Sequence, residues 1–378
     1  MTFQNFELEY FQSQFERTVE INLADSSVKC ASVTDLLAGE DARPLLELPL
    51  YYPEVNGTGL LRERIAALYP DTSAGNVLVT VGAAQANWIV CSTLLEQGDE
   101  VIVVSPGYRQ VWGLAKNLGC RVKEAELRPE NNWRLDLNEL ESLATAKTKL
   151  ISIVNPNNPT GSILSREEMR QIVRICERTG AWLHADEVYR GTELNGEETP
   201  SFRGMYDRAI CVNSFSKAYG LAGLRIGWAL ASPEMVEELW RRHEYAVIAA
   251  SGPSMKLAEI ALQPQKRGIL LERQKRLSRE GHAALESWVR QQEGRFSVSP
   301  AVATSIAFVR YHLDIFSAEL ADHIRRKASV LVAPGAYLGT EHHLRITVGY
   351  EPQKVRTALE RISAVAAELA GAASAVHR

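Results

Sequence analysis

Lys217 stands in the run Asn213-Ser214-Phe215-Ser216-Lys217-Ala218-Tyr219-Gly220, and Gly223-Leu224-Arg225-Ile226-Gly227-Trp228 follows closely. A primary amine, two hydroxyls and a guanidinium thus fall within a dozen residues. Ser214, Ser216 and Arg225 suit a phosphate dianion, because hydroxyls and a guanidinium donate to its oxygens and the guanidinium also brings charge. The amine of Lys217, partly withdrawn from water, suits a Schiff base. Asp186 opens Asp186-Glu187-Val188-Tyr189 after the apolar run Ala181–Ala185. It is predicted at the floor of a cleft, where a buried anion needs a cationic partner. A protonated ring nitrogen would serve. Tyr108, in Ser105-Pro106-Gly107-Tyr108, could lie flat against an aromatic ligand. Asn155-Pro156-Asn157-Asn158-Pro159-Thr160-Gly161 holds two Asn-Pro steps, a constraint that a plain connecting loop does not require. At Gly82-Ala83-Ala84, small residues let backbone N–H groups approach an anion at a helix start. Singly, each has a plainer account: tight strand–helix packing at Ala83 and Ala84, a core tyrosine at Tyr108, surface polar groups elsewhere. Together, at the ends of successive apolar runs, they point to one site.

Those runs are the elements that must position the site. Asn76–Val81, Glu100–Val104, Lys149–Val154, Ala181–Ala185, Arg208–Val212 and Arg225–Leu230 are rich in Val and Ile and apolar on both faces. That pattern predicts parallel strands buried between helix layers. Helical periodicity fills the gaps at Gln85–Leu95, Gln110–Gly119, Asp136–Ala144 and Arg166–Thr179. The alternation predicts a doubly wound α/β domain, whose ligands bind beyond the carboxyl ends of the strands. From Pro233 to Trp288 the pattern is helical, broken at Ser251-Gly252-Pro253. Strands are then expected at Phe296–Val298, Ser305–Arg310, Val330–Ala333 and Leu344–Val348, in a second, smaller α+β domain. The division expected is an N-terminal arm and part of the small domain at 1–45, a large domain at 46–245 and the small domain at 246–378. The residues from Gly371 to Arg378 are expected to fray.

Bulk properties narrow the function classes. The 378 residues are 46% apolar and 23% charged, with a net charge of −4. No basic excess is present to meet nucleic acid or an acidic membrane. No apolar run is long enough to span a bilayer, and the first twenty residues lack the cationic start and apolar stretch of a secretory signal. The five cysteines form no C-x-x-C pair, and the eight histidines show no metal-binding spacing; His342-His343 reads as a surface loop. A reducing cytoplasm is the location expected.

The chain resembles the class I/II aminotransferases, pyridoxal 5′-phosphate (PLP) enzymes of fold type I. The resemblance runs from about Glu47 to the end and rests on N-P-N-N-P-T-G, D-E-V-Y and S-F-S-K-A-Y-G-L-A-G-L-R-I-G. It implies a large, mostly parallel sheet domain and a smaller domain, with PLP held by Lys217 as an aldimine. Lys217, once released, would move the α-proton of an amino acid substrate, through an external aldimine and a quinonoid. The resemblance makes Asp186 the partner of the pyridine N–H, Asn158 and Tyr189 the partners of the ring O3′, and Tyr108 the stacking ring. Ala83, Ala84, Ser214, Ser216 and Arg225 would form the phosphate cup. Leu48-Pro49-Leu50-Tyr51-Tyr52-Pro53 matches the segment whose tyrosine, here Tyr52, reaches a phosphate in the neighbouring subunit, which implies a homodimer. Arg345, in His343-Leu344-Arg345-Ile346-Thr347, matches the arginine that grips the α-carboxylate.

One segment departs from the family. Ordinary members carry a Gly-x-Pro segment near the N-terminus, beside the substrate; this chain has Ile21-Asn22-Leu23-Ala24-Asp25-Ser26-Ser27-Val28. The departure resembles a side branch of capreomycidine-synthase-like cyclases and of lyases acting on guanidino amino acids such as canavanine. Asp25 and Ser26 are then expected to face the substrate side chain, unless Asp25 caps a helix. Two reactions remain open. Transamination to a 2-oxo acid is the first reading, and elimination or cyclodehydration of an arginine-like amino acid is the alternative.

Overall fold

Strands apolar on both faces need a helix layer on each side, and the fold supplies both. The computed structural model describes residues 3–376, and the side chains of 3–371. The chain opens with a helix, Glu7–Phe15, and a two-residue strand, β1 (Ile21–Asn22). The large sheet follows: β2 (Val77–Thr80), β3 (Glu100–Ser105), β4 (Arg121–Glu126), β5 (Thr148–Val154), β6 (Trp182–Asp186), β7 (Ala209–Ser214) and β8 (Gly227–Leu230), in the order β2-β8-β7-β6-β5-β3-β4. Along β3, Ile102 packs into one buried cluster while Val101 and Val103 pack into the other. Each such residue contributes about 1.5–3 kcal/mol on burial.

Strands β3 to β7 run parallel to one another, as expected for the four of them that were foreseen. Strand β8 corrects the expectation, for it runs antiparallel to both β2 and β7. The segment between β7 and β8 holds one 3-10 turn, Ala222–Leu224, and no crossover helix, so β8 returns antiparallel. Strand β4 was not foreseen. Its sequence is mostly polar, it pairs only with β3, and only Ala125 is buried. An edge strand of this kind carries no apolar signature.

Helices lie at Gly82–Leu94, Gln110–Asn117, Leu137–Leu143 and Arg166–Thr179, close to their expected places. The last has a capping box between Ser165 and Glu168 and stops at Gly180, whose φ is +73°. The helical connection is broken twice, giving Pro233–Ala246, Gly252–Ala261 and Pro264–Arg290. The second break was missed; Pro264 disfavours helical geometry at Gln263 and starts a new helix instead.

A second, antiparallel sheet has the order β12-β13-β10-β9, formed by β9 (Phe296–Val298), β10 (Ile306–Tyr311), β12 (Ala333–Pro334) and β13 (His343–Thr347). The expected strand Val330–Ala333 is split. Its first half, β11 (Val330–Leu331), pairs in parallel with β1, joining Ile21 to Val330. The second half joins β13 through Ala333 and ends at Pro334, which has no N–H for a further ladder bond. The His342-His343 loop is also corrected: His342 is exposed, but His343 begins β13, is buried and stacks on Phe308 at 4.5 Å. Among the described residues no helix is long and apolar enough to cross a membrane. The fraying expected from Gly371 falls largely on side chains outside the described residues; the backbone helix Pro352–Val376 is described to its end.

Candidate active site

Strands β2, β3, β5, β6 and β7 deliver their carboxyl ends to one edge of the large sheet, and a cavity of about 680 Å³ opens there. Ala83, Ala84, Tyr108, Asn158, Asp186, Tyr189, Ser214, Ser216, Lys217 and Arg225 all line it, as do Asp25 and Ser26. Arg345 stands behind that lining, fully buried, and donates from Nη1 to Asn158 Oδ1 at 3.1 Å. Tyr52 does not line the cavity of its own chain and is 77% exposed.

The loop after β5 explains its own sequence. Asn155 Oδ1 accepts from Leu164 N, and Asn157 Oδ1 accepts from the backbone and hydroxyl of Thr160. Gly161 has φ +70°, and a Cβ there would lie 2.8 Å from Ala303 O. Two asparagines thus build the turn, and the third, Asn158, is left for the cavity. It accepts from Arg345 through Oδ1, so its Nδ2 is the end free to donate.

One wall gathers positive potential. Val81 precedes the helix Gly82–Leu94 without a side-chain cap, so the first-turn N–H groups beside Ala83 and Ala84 are open. The Arg225 guanidinium lies against this turn: a Cβ on Gly82 would sit 2.3 Å from its Nη2. Arg225 Nη1 donates to Ser216 Oγ at 3.4 Å and to Ala222 O at 3.0 Å. Lys217 Nζ donates to Ser26 Oγ at 2.8 Å and to Ser27 Oγ at 3.4 Å. Arg345 gives its other bond to Ala24 O, and its Nε is unpartnered. Among the described residues, every hydrogen bond of these three cations goes to a neutral oxygen. An arrangement that withholds carboxylates from two guanidinium groups, Arg345 buried and Arg225 exposed on the cavity wall, is suited to two incoming anions.

Asp186 is the opposite case. Its carboxylate is 4% exposed and holds only neutral donors, Val188 N at 3.2 Å and Asn87 Nδ2 at 3.3 Å. Burial pushes its pKa up to about 6, against those hydrogen bonds and the charge of Lys217. Its neighbour Glu187 points away and is held by Ser201 and Phe202 N.

The N-terminal segment forms the facing wall. Ser26 O accepts from Tyr189 OH at 3.1 Å. Asp25 accepts from Ser27 N at 2.8 Å and from Tyr350 OH at 3.3 Å. Burial alone would raise the Asp25 pKa, but Lys217, Ser27 and Arg345 outweigh it and hold the carboxyl below its usual range. The helix-cap reading of Asp25 is corrected: the nearest helix, Val33–Leu37, is capped by Ser32. Several lining residues were missed by the sequence reading. Glu9, Gln12 and Ser13 come from the first helix, Glu16 from its C-cap, and Asn87 from the helix after β2. The first four have the spacing of a single helical face, a signal that was available but says nothing of what the face meets. Tyr108, between the walls, donates to Glu9 Oε1 at 3.0 Å.

The sequence model of the family described as aminotransferase class I and II matches residues 50–362. This chain belongs to the aminotransferase class I and II family. Among relatives, the family member is 28% identical to an aspartate aminotransferase of Pyrococcus horikoshii, over 82% of both chains. It is also 28% identical to capreomycidine synthase of Streptomyces vinaceus, over 81% of this chain and 78% of that one. A solved PLP-dependent aminotransferase from Streptococcus suis superposes with a TM-score of 0.92 at 29% identity, over 98% of this chain and 99% of the other. The enzyme's cofactor is PLP, and the cavity fits it. The open helix start and Arg225 would suit its phosphate, the uncompensated Asp186 its pyridine nitrogen, and the Lys217 amine its aldehyde.

Proposed function

We propose that this aminotransferase passes the amino group of an amino acid with a cationic side chain to a 2-oxo acid. The observation that carries the reading is the charge arrangement of the cavity: two guanidinium groups unclaimed by carboxylates, one amine, and an uncompensated carboxylate at the floor. In this reading Ser214, Ser216, Arg225 and the N–H groups at Ala83 and Ala84 hold the phosphate. Asp186 keeps a proton on the pyridine nitrogen. Tyr108 lies against the ring, Asn158 donates to its hydroxyl oxygen, and Tyr189 does so by turning its O–H from Ser26 O. PLP, when bound, supplies an electron-withdrawing ring that stabilises negative charge at the substrate α-carbon. Arg345 grips the α-carboxylate and so fixes the direction of the Cα–H bond. Lys217 would take the proton from that carbon and deliver it across the C=N bond to C4′ of the cofactor, the transfer that leads to a keto acid.

The side chain of the substrate is read by the N-terminal wall. Asp25 lines it with Glu9 and Glu16, against one cation, Arg17. Such a wall favours a guanidinium or ammonium and disfavours a second carboxylate, by a few kcal/mol for a closed site. Tyr52 acts in the neighbouring subunit of a homodimer, where it reaches the phosphate. Support comes from Leu46, Leu50, Tyr51 and Tyr52, all more than 70% exposed in the single chain and in need of cover. The division at 1–45, 46–245 and 246–378 goes with this reading, helped by the β1–β11 pairing. A cytoplasmic setting suits five free cysteines.

One observation favours a second reading. The Lys217 amine rests on the hydroxyls of Ser26 and Ser27, in the segment that departs from the family, and the chain is similar to a capreomycidine synthase. Elimination or cyclodehydration of an arginine-like amino acid is that alternative. Purified enzyme is incubated with a panel of amino acids, with and without a 2-oxo acid, and the products are weighed by mass spectrometry. Transamination requires the oxo acid and yields a keto acid from the donor. Turnover without it replaces transamination by the lyase reading, and a preference for glutamate or aspartate removes the cationic substrate.

A further inference from the structure

His184 lies two residues before Asp186 on β6, so both side chains leave the same face of the strand. They do not touch. Asn87, on the helix Gly82–Leu94, stands between them. Its Oδ1 is 3.0 Å from His184 Nε2, and its Nδ2 is 3.3 Å from Asp186 Oδ2 and 3.0 Å from Gln110 Oε1. On the far side, Ser152 Oγ is 2.9 Å from His184 Nδ1. All of these residues but Gln110 are buried.

The direction of every bond in this chain is forced. Asn87 faces two acceptors, the Asp186 carboxylate and the Gln110 carbonyl, so that end must be its NH₂ group. Gln110 is itself oriented by its donation to Ala84 O at 2.8 Å. Asn87 Oδ1 therefore faces His184, and Nε2 must carry a proton to meet it. Nδ1 then accepts from the Ser152 hydroxyl, because burial keeps the imidazole neutral. The result is a one-way series from Ser152 through His184 and Asn87 to Asp186, built only of neutral donors.

We propose that Asn87, locked by His184 and Ser152, is a positioning residue that aims the Asp186 carboxylate at the pyridine nitrogen of PLP while leaving its charge uncancelled. A lysine or arginine in the same place would satisfy the carboxylate and compete with the ring for it. A neutral amide fills one lone pair and fixes the plane of the group. The titratable groups near Asp186 are Lys217, Tyr108 and His184, and none of them reaches its oxygens with a hydrogen bond. The inference rests on the reading of Asp186 as the ring-nitrogen partner.

The test titrates cofactor-free protein with PLP and with 1-deaza-PLP, which has carbon in place of the ring nitrogen. The quantity read is the ratio of the two dissociation constants. Wild type should prefer PLP strongly. Asn87→Leu should reduce that preference about tenfold or more, the weight of a hydrogen bond to a charged group. The loss should fall on PLP and spare the deaza compound, which a general loosening of the site would not do. His184→Phe should shrink the ratio in the same direction. His184→Gln, which keeps a donor for Asn87 Oδ1, should recover most of it. If Asn87→Leu does not fold, the two His184 variants decide alone. An unchanged ratio in Asn87→Leu, or equal ratios in the two His184 variants, overturns the proposal. If Asp186→Ala itself leaves the ratio unchanged, the parent reading of Asp186 fails instead.

Discussion

Asp186 carries two opposing requirements in one carboxyl group: burial favours its neutral form, and the task proposed for it favours the ionised one. With its folded pKa raised to about 6 from 3.8, the folded cofactor-free protein keeps a proton that the unfolded chain has released. Its stability therefore falls as pH rises through that window, by about 3 kcal/mol in full. Asp186→Asn should recover that stability in cofactor-free protein at pH 8 and gain little at pH 4, as read by chemical denaturation at the two pH values. An equal gain at both would contradict the assignment. The loaded variant should lose activity by orders of magnitude. Asp25 faces the other way, held ionised by its neighbours. Asp25→Asn should raise KM about tenfold for a basic substrate and less for a neutral one. Steady-state kinetics on a basic and a neutral donor checks this, and equal effects would return Asp25 to a purely local role with Ser27 and Tyr350. Most residues of the cavity's inner wall were legible as a cluster because they lie at or just beyond a strand's end, so strand ends and chemistry coincide in the sequence. Glu9, Gln12 and Asn87 were not, because helical spacing gives a face without giving its neighbour.

At the scale of elements, a tight joint beside the site lies between β8 and the helix Gly82–Leu94. A Cβ on Gly227 would lie 2.5 Å from Gly82 C and 2.6 Å from Ala83 N, both backbone atoms that cannot step aside cheaply. Arg225, just before it, adopts φ +51°, a left-handed geometry uncommon outside glycine. The turn, the arginine and the helix start are thus set by one close approach. Gly227→Ala should push the helix start off the strand, weaken PLP binding about tenfold or more and lower the melting temperature of the cofactor-free protein. A variant with unchanged PLP affinity would show that the cup does not depend on this joint. The elements themselves were readable in proportion to their burial. Strands apolar on both faces declared themselves, whereas polar β4 at the sheet edge did not. The reversal of β8 follows from its short link to β7, whereas the split between β11 and β12 depends on partners far away in the chain, which local patterning does not encode.

The whole molecule leaves an apolar stretch uncovered, Leu46 to Tyr52, ahead of the helix Gly59–Ala66. Leu50→Asp places a charge in that stretch. It should shift a dimer toward monomer in sedimentation and reduce PLP affinity, since Tyr52 would lose its place beside a partner's phosphate. A variant that stays dimeric and fully active would move the interface elsewhere. The sequence pointed to this surface only through the family resemblance, because an exposed tyrosine has no periodic signature. The pairing of Ile21 with Val330, and of Ala24 O with Arg345, has a consequence for how the protein is made. A ribosome releases Asp25 early and Arg345 late, 320 residues on at about 5–20 residues per second. The N-terminal segment thus waits on the order of tens of seconds for the strand it must join. During that interval the nascent chain can carry Lys217, Asp186 and Arg225 while its facing wall is still unbuilt. On the role proposed for Arg345, a translation product that stops short of it would offer the cofactor wall without a grip on a substrate carboxylate, so the late-made strand is the part that would commit the chain to catalysis.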